Sequence, residues 1–395
     1  MTPAQAKFLV RNADTQPLSE AFVMLSEGSS VLEVRRFLER LFSSEECLAI
    51  LDCLSTRLRF AHKFWRSKEW LFSREPAEQA SDSRIARWRA EHLRGGSREL
   101  TELGCGLGGD TVFLSQHFQV SAWERCPARA ELCRFNLSRL GFPGSLVENR
   151  EVKCEDLEGD TLYVDPARRD GVRLNRPEEW LPPLSQVDRC FREGRFQRVG
   201  IKCAPGLTEL PEGPWELTFL SIEGHLKEAF LLLGHQHAQK KRAVLFGKEN
   251  EQPLVYEPLG RAIPSCQPSP GLYLHNPDPA ILRADALDSL AHLTHSGVVH
   301  PKIGYLVGPD PIRDGSADSF QILDTFPLNW KILKKKIASS GWSEYEYLAR
   351  GVPFSQPEVR AKLAFKRPKN STALRGSVIL FREDQGYRVV LAQRL

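Results

Sequence analysis

Two segments of this 395-residue chain have the residue types and spacing needed for chemistry. The first is a glycine turn that follows an acid, over 102–110 (ELGCGLGGD). The second is Asp165-Pro166, directly after the apolar run TLYV. Glycines let a backbone approach a ligand closely, and a helix N-terminus offers unpaired N–H groups to negative charge. The first segment therefore predicts a cofactor site, and the second predicts a polar group at the end of a strand.

The glycines of the turn fit two cofactor classes. Gly104, Gly106 and Gly108 have the G-x-G-x-G spacing of a methyltransferase, and replacing Gly108 by Gly109 gives the dinucleotide spacing G-x-G-x-x-G. Glu102 favours the first class, because a carboxylate there can accept hydrogen bonds from the amino group of a methionine moiety. A nicotinamide enzyme needs a small apolar residue at that place. The turn is therefore predicted to bind S-adenosylmethionine through Glu102 and the glycines.

Three more acids are candidate cofactor ligands. Asp110 begins the helix after the turn. Glu124 ends the next strand, where a carboxylate can accept both ribose hydroxyls of either cofactor class. Asp156 follows the predicted third strand, where it could accept the adenine amino group or be an ordinary loop carboxylate.

Asp165 is the candidate catalytic residue. Ligands of open α/β sheets lie at the carboxyl ends of the strands, so Asp165 is expected to face the same crevice as the glycine turn. An exocyclic base amine is a poor nucleophile, and acceptors for its N–H groups, here Asp165 and the Pro166 carbonyl, would direct its lone pair at a methyl donor. Arg168 stands where amino-methyltransferases carry a stacking aromatic, and a guanidinium can stack on a base or bind a phosphate instead. The structural alternative is that Asp-Pro only starts a turn or caps a helix.

Two later strand ends, 201–205 and 222–228, also carry charged residues. These charged residues could line the entrance to the substrate site. Their presence is explained equally well by the ordinary exposure of strand ends to solvent.

The elements around these segments predict an α/β protein. Residues 1–95 place apolar side chains at helical spacing, and 96–250 alternate strands with helices, which indicates a mainly parallel, doubly wound sheet. A Pro-rich stretch to about residue 271 reads as a linker. Beyond it we predict an α+β region that opens with one helix over 278–293 and has a lysine-rich helix over 330–337.

Charge is unevenly distributed along the chain. The net charge of the whole chain is +4. Residues 328–395 hold 14 Lys and Arg but only 5 Asp and Glu. Residues 1–327 hold the other 40 Lys and Arg and 45 Asp and Glu. A basic segment of this size suits a polyanion, and a solvated basic face is the alternative.

The nine cysteines are an odd number without a Cys-x-x-Cys pair, which fits neither a disulfide framework nor a zinc site. We expect thiols in a reducing compartment and no metal. The longest apolar runs are too short to span a membrane, and the N-terminus lacks a long apolar run. A cytoplasmic location is the expectation.

Several segments together resemble a bacterial family of class I S-adenosylmethionine-dependent methyltransferases that contain a THUMP-like domain. The match runs over most of the chain from about residue 60. The residues that carry it lie at 78–81, 86, 89–90, 103–110, 163–169, 201–205, 223–224, 227–228, 276–280, 350–351 and 359–363.

The resemblance implies a Rossmann-like methyltransferase domain at 96–250, a ferredoxin-like module at 270–327 and a THUMP-like module at 328–395. It also implies that Gln79 and Ser81 lie over the cofactor and contact its methionine part, as a related stretch does in cap-guanine N2 methyltransferases. THUMP-type modules are associated with RNA, usually tRNA, which coincides with the basic segment.

The leading hypothesis is methylation of a base nitrogen, with guanine N2 as the candidate position, in structured RNA such as tRNA or rRNA. A methyltransferase acting on a small molecule or protein is one alternative. A non-catalytic RNA-binding scaffold is another. A nicotinamide oxidoreductase is disfavoured by Glu102 and by Asp165-Pro166.

Overall fold

The computed structural model describes residues 1–168, 177–207, 209–234, 239–248, 252–363 and 375–395, without the side chains of Ala167 and Arg168. The chain forms two compact units. The first unit comprises Met1–Glu216 and Ala229–Lys240, and the second comprises Leu217–Glu228 and Lys241–Leu395. Within the described ranges no helix could cross a membrane, and no group of three His, Cys, Asp or Glu side chains could hold a metal ion.

The first unit begins with helices, as the apolar spacing predicts. Side chains of Thr2, Ser30 and Ser43 form capping boxes in which they accept the N–H of the third helical residue, whose side chain bonds back. Each box satisfies N–H groups that the first turn leaves unpaired, and this defines where three of the helices begin. The helices are α1 (Pro3–Asn12), α2 (Gln16–Ser26), α3 (Val31–Leu38), α4 (Ser44–Arg59), α5 (Arg74–Gln79) and α6 (Ser83–His92).

Strands and helices then alternate, which confirms the α/β fold class. The strands are β1 (Glu99–Leu103), β2 (Gln119–Trp123), β3 (Leu146–Glu148), β4 (Gly159–Val164), β5 (Ala167–Arg168), β6 (Trp180–Leu181), β7 (Phe196–Cys203), β8 (Trp215–Ile222) and β9 (His225–Gly234). The helices between them are α7 (Thr111–Leu114), α8 (Pro127–Arg139) and α9 (Leu184–Arg192).

The sheet of the first unit brings the two chemical segments together. Its strands run in the order β9-β7-β4-β1-β2-β3. The strands from β7 to β3 are parallel, and β9 is antiparallel to β7. Because β1 lies between β2 and β4, the glycine turn after β1 and Asp165 after β4 leave the same edge of the sheet side by side.

The second unit contains an antiparallel sheet in the order β13-β14-β12-β15-β18-β17-β16, in which only the β16 and β17 pair is parallel. One apolar core surrounds Leu274 and Phe320, and another lies under α12 and α13 around Leu333 and Val359. The strands are β10 (Lys240–Phe246), β11 (Leu254–Tyr256), β12 (Tyr273–Pro277), β13 (Gly297–His300), β14 (Ile303–Gly308), β15 (Ala317–Pro327), β16 (Glu344–Arg350), β17 (Arg375–Arg382) and β18 (Tyr387–Arg394). The helices are α10 (Pro279–Arg283), α11 (Leu287–Leu293), α12 (Trp330–Ser339) and α13 (Gln356–Leu363).

Two local expectations were wrong. The single helix predicted over 278–293 is divided into α10 and α11, because Asp285 adopts a left-handed conformation with φ of 58°. Asp tolerates this conformation better than most residues, and the Asp285 carboxylate pairs with Lys241 at 2.7 Å. The Pro-rich stretch is also not all linker, since β11 pairs with β10 inside it.

Candidate active site

The glycine turn needs glycine for conformation and for space. Gly104, Gly106 and Gly108 have φ of 87°, 57° and 91°, values that favour glycine. A Cβ atom on Gly104 would lie 2.7 Å from the Asp165 carbonyl oxygen, so the two strand ends can approach only with glycine here. A Cβ on Gly106 would meet nothing within 4 Å. The turn therefore leaves open space beside its backbone, as a cofactor loop requires.

Glu124 holds the turn from the end of β2. One of its carboxylate oxygens accepts the Gly106 N–H at 3.0 Å, and the other accepts the Cys126 N–H at 2.8 Å. Each oxygen can accept a second hydrogen bond. The contact of Glu124 with the ribose stays a prediction. The hydrogen bond between Glu124 and Gly106 gives this residue a second role, in fixing the conformation of the turn.

Glu102 is a buried carboxylate with one unpaired oxygen. Its side chain is 1% exposed, and Oε2 has no hydrogen-bond partner among the described residues. Burial raises the pKa of Glu102 to about 8, and the nearby Asp110 carboxylate adds to the shift. An isolated buried carboxylate is costly unless a partner is supplied. The ammonium group of a methionine moiety would be such a partner, so this residue fits the cofactor that the sequence predicts.

Arg89 links three parts of the site and was not singled out for a function by sequence reasoning. The guanidinium is 1% exposed. Its Nη1 donates to Asp110 Oδ1 at 2.5 Å and to the Tyr163 hydroxyl at 2.6 Å, and Nη2 donates to Ser81 Oγ at 3.1 Å. Arg89 lies on the buried face of α6 beside Ala86 and Ala90. An arginine at an apolar helical position is the signal that could have identified it.

The Gln79 to Ser81 segment lies beside the glycine turn. The Ala80 Cβ is 3.6 Å from the position of a Cβ on Gly109. Ser81 is buried against Arg89, whereas Gln79 ends α5 with an exposed side chain. The structure thus brings this segment to the turn, and its contact with the cofactor remains a prediction.

Asp165 lies at the mouth of the crevice and is paired. Its backbone N–H donates to the Leu103 carbonyl at 3.0 Å, and its Oδ2 accepts from Lys202 Nζ at 2.9 Å. Lys202 comes from β7, the neighbour of β4, and also donates to the Gln79 carbonyl at 3.3 Å. Burial raises the pKa of Asp165, and the Lys202 ammonium opposes that rise. About a third of the side chain, 34%, is still exposed, so the carboxylate can meet a substrate.

Two predicted site residues are less well placed by the structure. Asp156 ends a 3₁₀ turn with an exposed side chain that has no hydrogen-bond partner in the described part of the chain. The Arg168 backbone pairs with Trp180 of β6, but its side chain lies outside the described residues. The roles predicted for Asp156 and Arg168 stay predictions.

The site combines three carboxyl groups, those of Glu102, Asp110 and Asp165, with the cations of Arg89 and Lys202. Burial raises the pKa of Glu102 and of Asp165 most, the Asp110 carboxylate adds to both shifts, and Arg89 opposes both. S-adenosylmethionine carries a sulfonium, an ammonium and one carboxylate, so its net charge is positive. A positive group of the cofactor beside Glu102 would favour the ionised form of that carboxylate.

Comparison with known proteins identifies the chemistry. No protein-family model matches the chain. Two proteins of Mycobacterium tuberculosis, from strains H37Rv and CDC 1551, are named as uncharacterized S-adenosylmethionine-dependent methyltransferases. Each is 26% identical over 312 residues, which cover 75% of this chain and 82% of the relative.

A solved structure shares the fold over nearly the whole chain. It is a protein of Porphyromonas gingivalis W83 that is provisionally named a methyltransferase. The TM-score is 0.70 at 19% identity, and the match covers 92% of this chain and 98% of that one. The chain is an S-adenosylmethionine-dependent methyltransferase, and S-adenosylmethionine is its cofactor.

Replacing Glu102 by Gln should change stability and cofactor affinity in a pH-dependent way. The folded protein holds a proton on Glu102 up to about pH 8, whereas the ordinary pKa is 4.5. The stability of the cofactor-free protein should therefore fall as pH rises through this window and level off above it. Glu102→Gln should reduce this fall and weaken S-adenosylmethionine binding about tenfold or more, as expected for loss of a charged hydrogen bond.

Urea unfolding from pH 5 to 9 and calorimetric titration with S-adenosylmethionine measure both effects. Glu99→Gln, on the same strand but exposed, is the matched control. Identical pH curves for wild type and Glu102→Gln would contradict the assignment.

Proposed function

We propose that the enzyme methylates a base nitrogen in structured RNA, such as tRNA or rRNA, with guanine N2 as the candidate position. The observation that carries the proposal is the Asp165-Pro166 pair, which leaves β4 beside the glycine turn with the carboxylate partly exposed. The bound cofactor supplies an electrophilic methyl group on a positively charged sulfur. An amine that is to receive this methyl group has a delocalised lone pair. It therefore needs hydrogen-bond acceptors such as these for its N–H groups.

The roles of the protein groups follow from the chemistry of that amine. Asp165 would accept one N–H of the amine and the Pro166 carbonyl would accept the other, which orients the nitrogen lone pair. Lys202 favours the ionised form of Asp165, in which the carboxylate is only an acceptor. Arg168 would stack on the base or bind a phosphate, as its residue type suggests.

The second unit supports RNA as the partner through its charge. Lys331, Lys334 and Lys335 are exposed on α12, and no described carboxylate lies within ion-pair distance of them. Arg360 and Lys362 are exposed on α13, which packs against α12 over one core. Lys331, Lys334 and Lys335 recur at three- and four-residue spacing, so they lie on one side of α12 and form a basic helical face. Such a face suits the phosphate backbone of a nucleic acid.

The predicted modules belong to the same proposal. Strands β12 to β15 with α10 and α11 fall in the proposed ferredoxin-like module at 270–327. Strands β16 to β18 with α12 and α13 fall in the proposed THUMP-like module at 328–395. The basic helical face lies entirely in the THUMP-like module, which is the part that the resemblance associates with RNA.

Label transfer to RNA is the direct test. Purified enzyme would be incubated with radiolabelled S-adenosylmethionine and total RNA from cells that lack this gene, beside wild-type RNA. We expect label only in the RNA of the deletion strain, because its target nitrogen is unmethylated. Asp165→Asn should lower the rate by about 100- to 1,000-fold, as for loss of a positioned hydrogen-bond partner. Asp160→Asn, at the exposed start of the same strand, should not.

Absence of label in every RNA fraction, with demonstrated cofactor binding, would reject RNA as the acceptor. Label in protein or small-molecule fractions would then identify the alternative acceptor. RNA affinity without any methyl transfer would favour a non-catalytic scaffold.

Lys202→Met should shift the pH dependence of methyl transfer. Without the ammonium group the pKa of Asp165 rises, so the acidic limb of the rate profile should move to higher pH. Activity should recover in part above the new pKa. Lys202→Arg keeps the cation and should keep the limb in place. Single-turnover rates measured across pH 5–9 on the labelled RNA provide the check, and a uniform loss of rate at every pH would indicate only a structural role.

Replacing Lys331, Lys334 and Lys335 together by Glu should weaken RNA binding and its salt dependence. If these lysines contact phosphates, the slope of log affinity against log salt should decrease in magnitude by about 2 to 3. Filter binding with deletion-strain RNA at several salt concentrations gives the slope. Replacing Lys7 and Arg11 of α1 and Arg40 of the turn after α3 by Glu makes the same change in net charge. Equal slopes in the two triple variants would show that the lysines of α12 do not contact the RNA.

A further inference from the structure

A cavity of about 310 Å³ lies among helices of the first unit. Its walls come from α1, α2, α4 and α8 and from the chain segment before α5. The volume is at the lower end of the range of small-molecule sites. The buried apolar side chains that line it are Leu9, Leu18, Ile50, Cys53, Leu54 and Leu71.

Arg57 places a positive charge in this apolar wall. Its Nη2 donates to the Trp70 carbonyl at 2.7 Å, and its guanidinium lies over the Phe22 ring at 5.1 Å. The Nε atom is buried and has no hydrogen-bond partner in the described ranges, and no described carboxylate lies within 4.0 Å of the side chain. Burial lowers the pKa of Arg57 accordingly. The guanidinium is thus a partly buried cation that contacts a carbonyl and a ring.

The other charged side chains that line the cavity do not neutralise Arg57. Arg139 stands at the rim with its own partner, the Asp14 carboxylate, at 2.5 Å. Lys68 also lines the cavity and makes no ion pair with a described residue. Arg57 and Lys68 together give the site two positive charges that the described carboxylates do not neutralise.

A cation that is largely withdrawn from water and has no anion beside it is costly, and a ligand can supply the missing partner. A guanidinium matches the geometry of carboxylate and phosphate oxygens, while the walls favour an apolar body. We propose that this cavity binds an amphipathic organic anion, with the anionic head on Arg57 and the apolar body among Leu9, Leu54 and Leu71. The site is separate from the glycine turn, and the inference does not depend on the nature of the methyl acceptor.

Calorimetric titration of the full-length protein with three eight-carbon probes tests the proposal. Octanoate and octyl phosphate carry the two candidate head groups, and 1-octanol has the same chain without charge. We expect one anion to bind per chain, and 1-octanol to bind about tenfold to a hundredfold more weakly, as for loss of a charged hydrogen bond. The tighter of the two anions identifies the head group.

Arg57→Met should remove the preference for the anions over 1-octanol. The matched control is Arg59→Met on the same helix, whose side chain is 59% exposed and lies outside the cavity. A second variant, Ser19→Trp, places a large ring at an exposed position of the cavity wall and leaves Arg57 intact. It should weaken binding of all three probes, and thermal unfolding monitored by circular dichroism verifies that each variant folds.

Three results would overturn the proposal. They are no heat of binding from either anion, equal affinity of wild type for the anions and 1-octanol, and unchanged anion affinity in a folded Arg57→Met. If Arg57→Met does not fold, unchanged affinity of Ser19→Trp for the anions would overturn the proposal instead.

Discussion

The buried guanidinium of Arg89 organises the active site of this methyltransferase. It bonds the start of α7 through Asp110, strand β4 through Tyr163 and the segment before α6 through Ser81. A buried charge is tolerated only when it is well paired, and removing one partner of such a pair typically costs about 3–5 kcal/mol. Arg89 therefore ties the end of the glycine turn to the Gln79 to Ser81 segment through one side chain.

The same cation also acts on the acids of the site. Burial raises the pKa of both Glu102 and Asp165, and Arg89 opposes that rise in both. Glu102 lacks any comparable partner for Oε2, while Asp165 has Lys202 at 2.9 Å. The two carboxylates thus have different environments within one crevice. This difference suits the separate tasks that we propose for them, in which Glu102 holds the cofactor and Asp165 orients an amine.

Periodicity predicted most of the elements but not their irregularities. The helices of residues 1–95 and the alternation after them follow from apolar spacing, which tertiary contacts reinforce. The break at Asp285 was not visible, because a left-handed residue inside a helical pattern leaves the apolar spacing intact. Strand β16 (Glu344–Arg350) was also missed. It mixes charged and aromatic residues, and its pairing with β17 and the ion pair of Glu346 with Arg394 stabilise it as a strand.

The sequence alone determined the residues whose roles are local. The glycines of the turn, Glu102 two positions before it and Asp165 after a buried strand are recognisable because backbone conformation and strand ends impose their residue types. Only the tertiary structure decided the partners that come from distant positions. Tyr163 is 74 residues from Arg89, and Lys202 is 37 residues from Asp165. Burial and charge pairing across such separations depend on how strands and helices pack, and no local pattern specifies that packing.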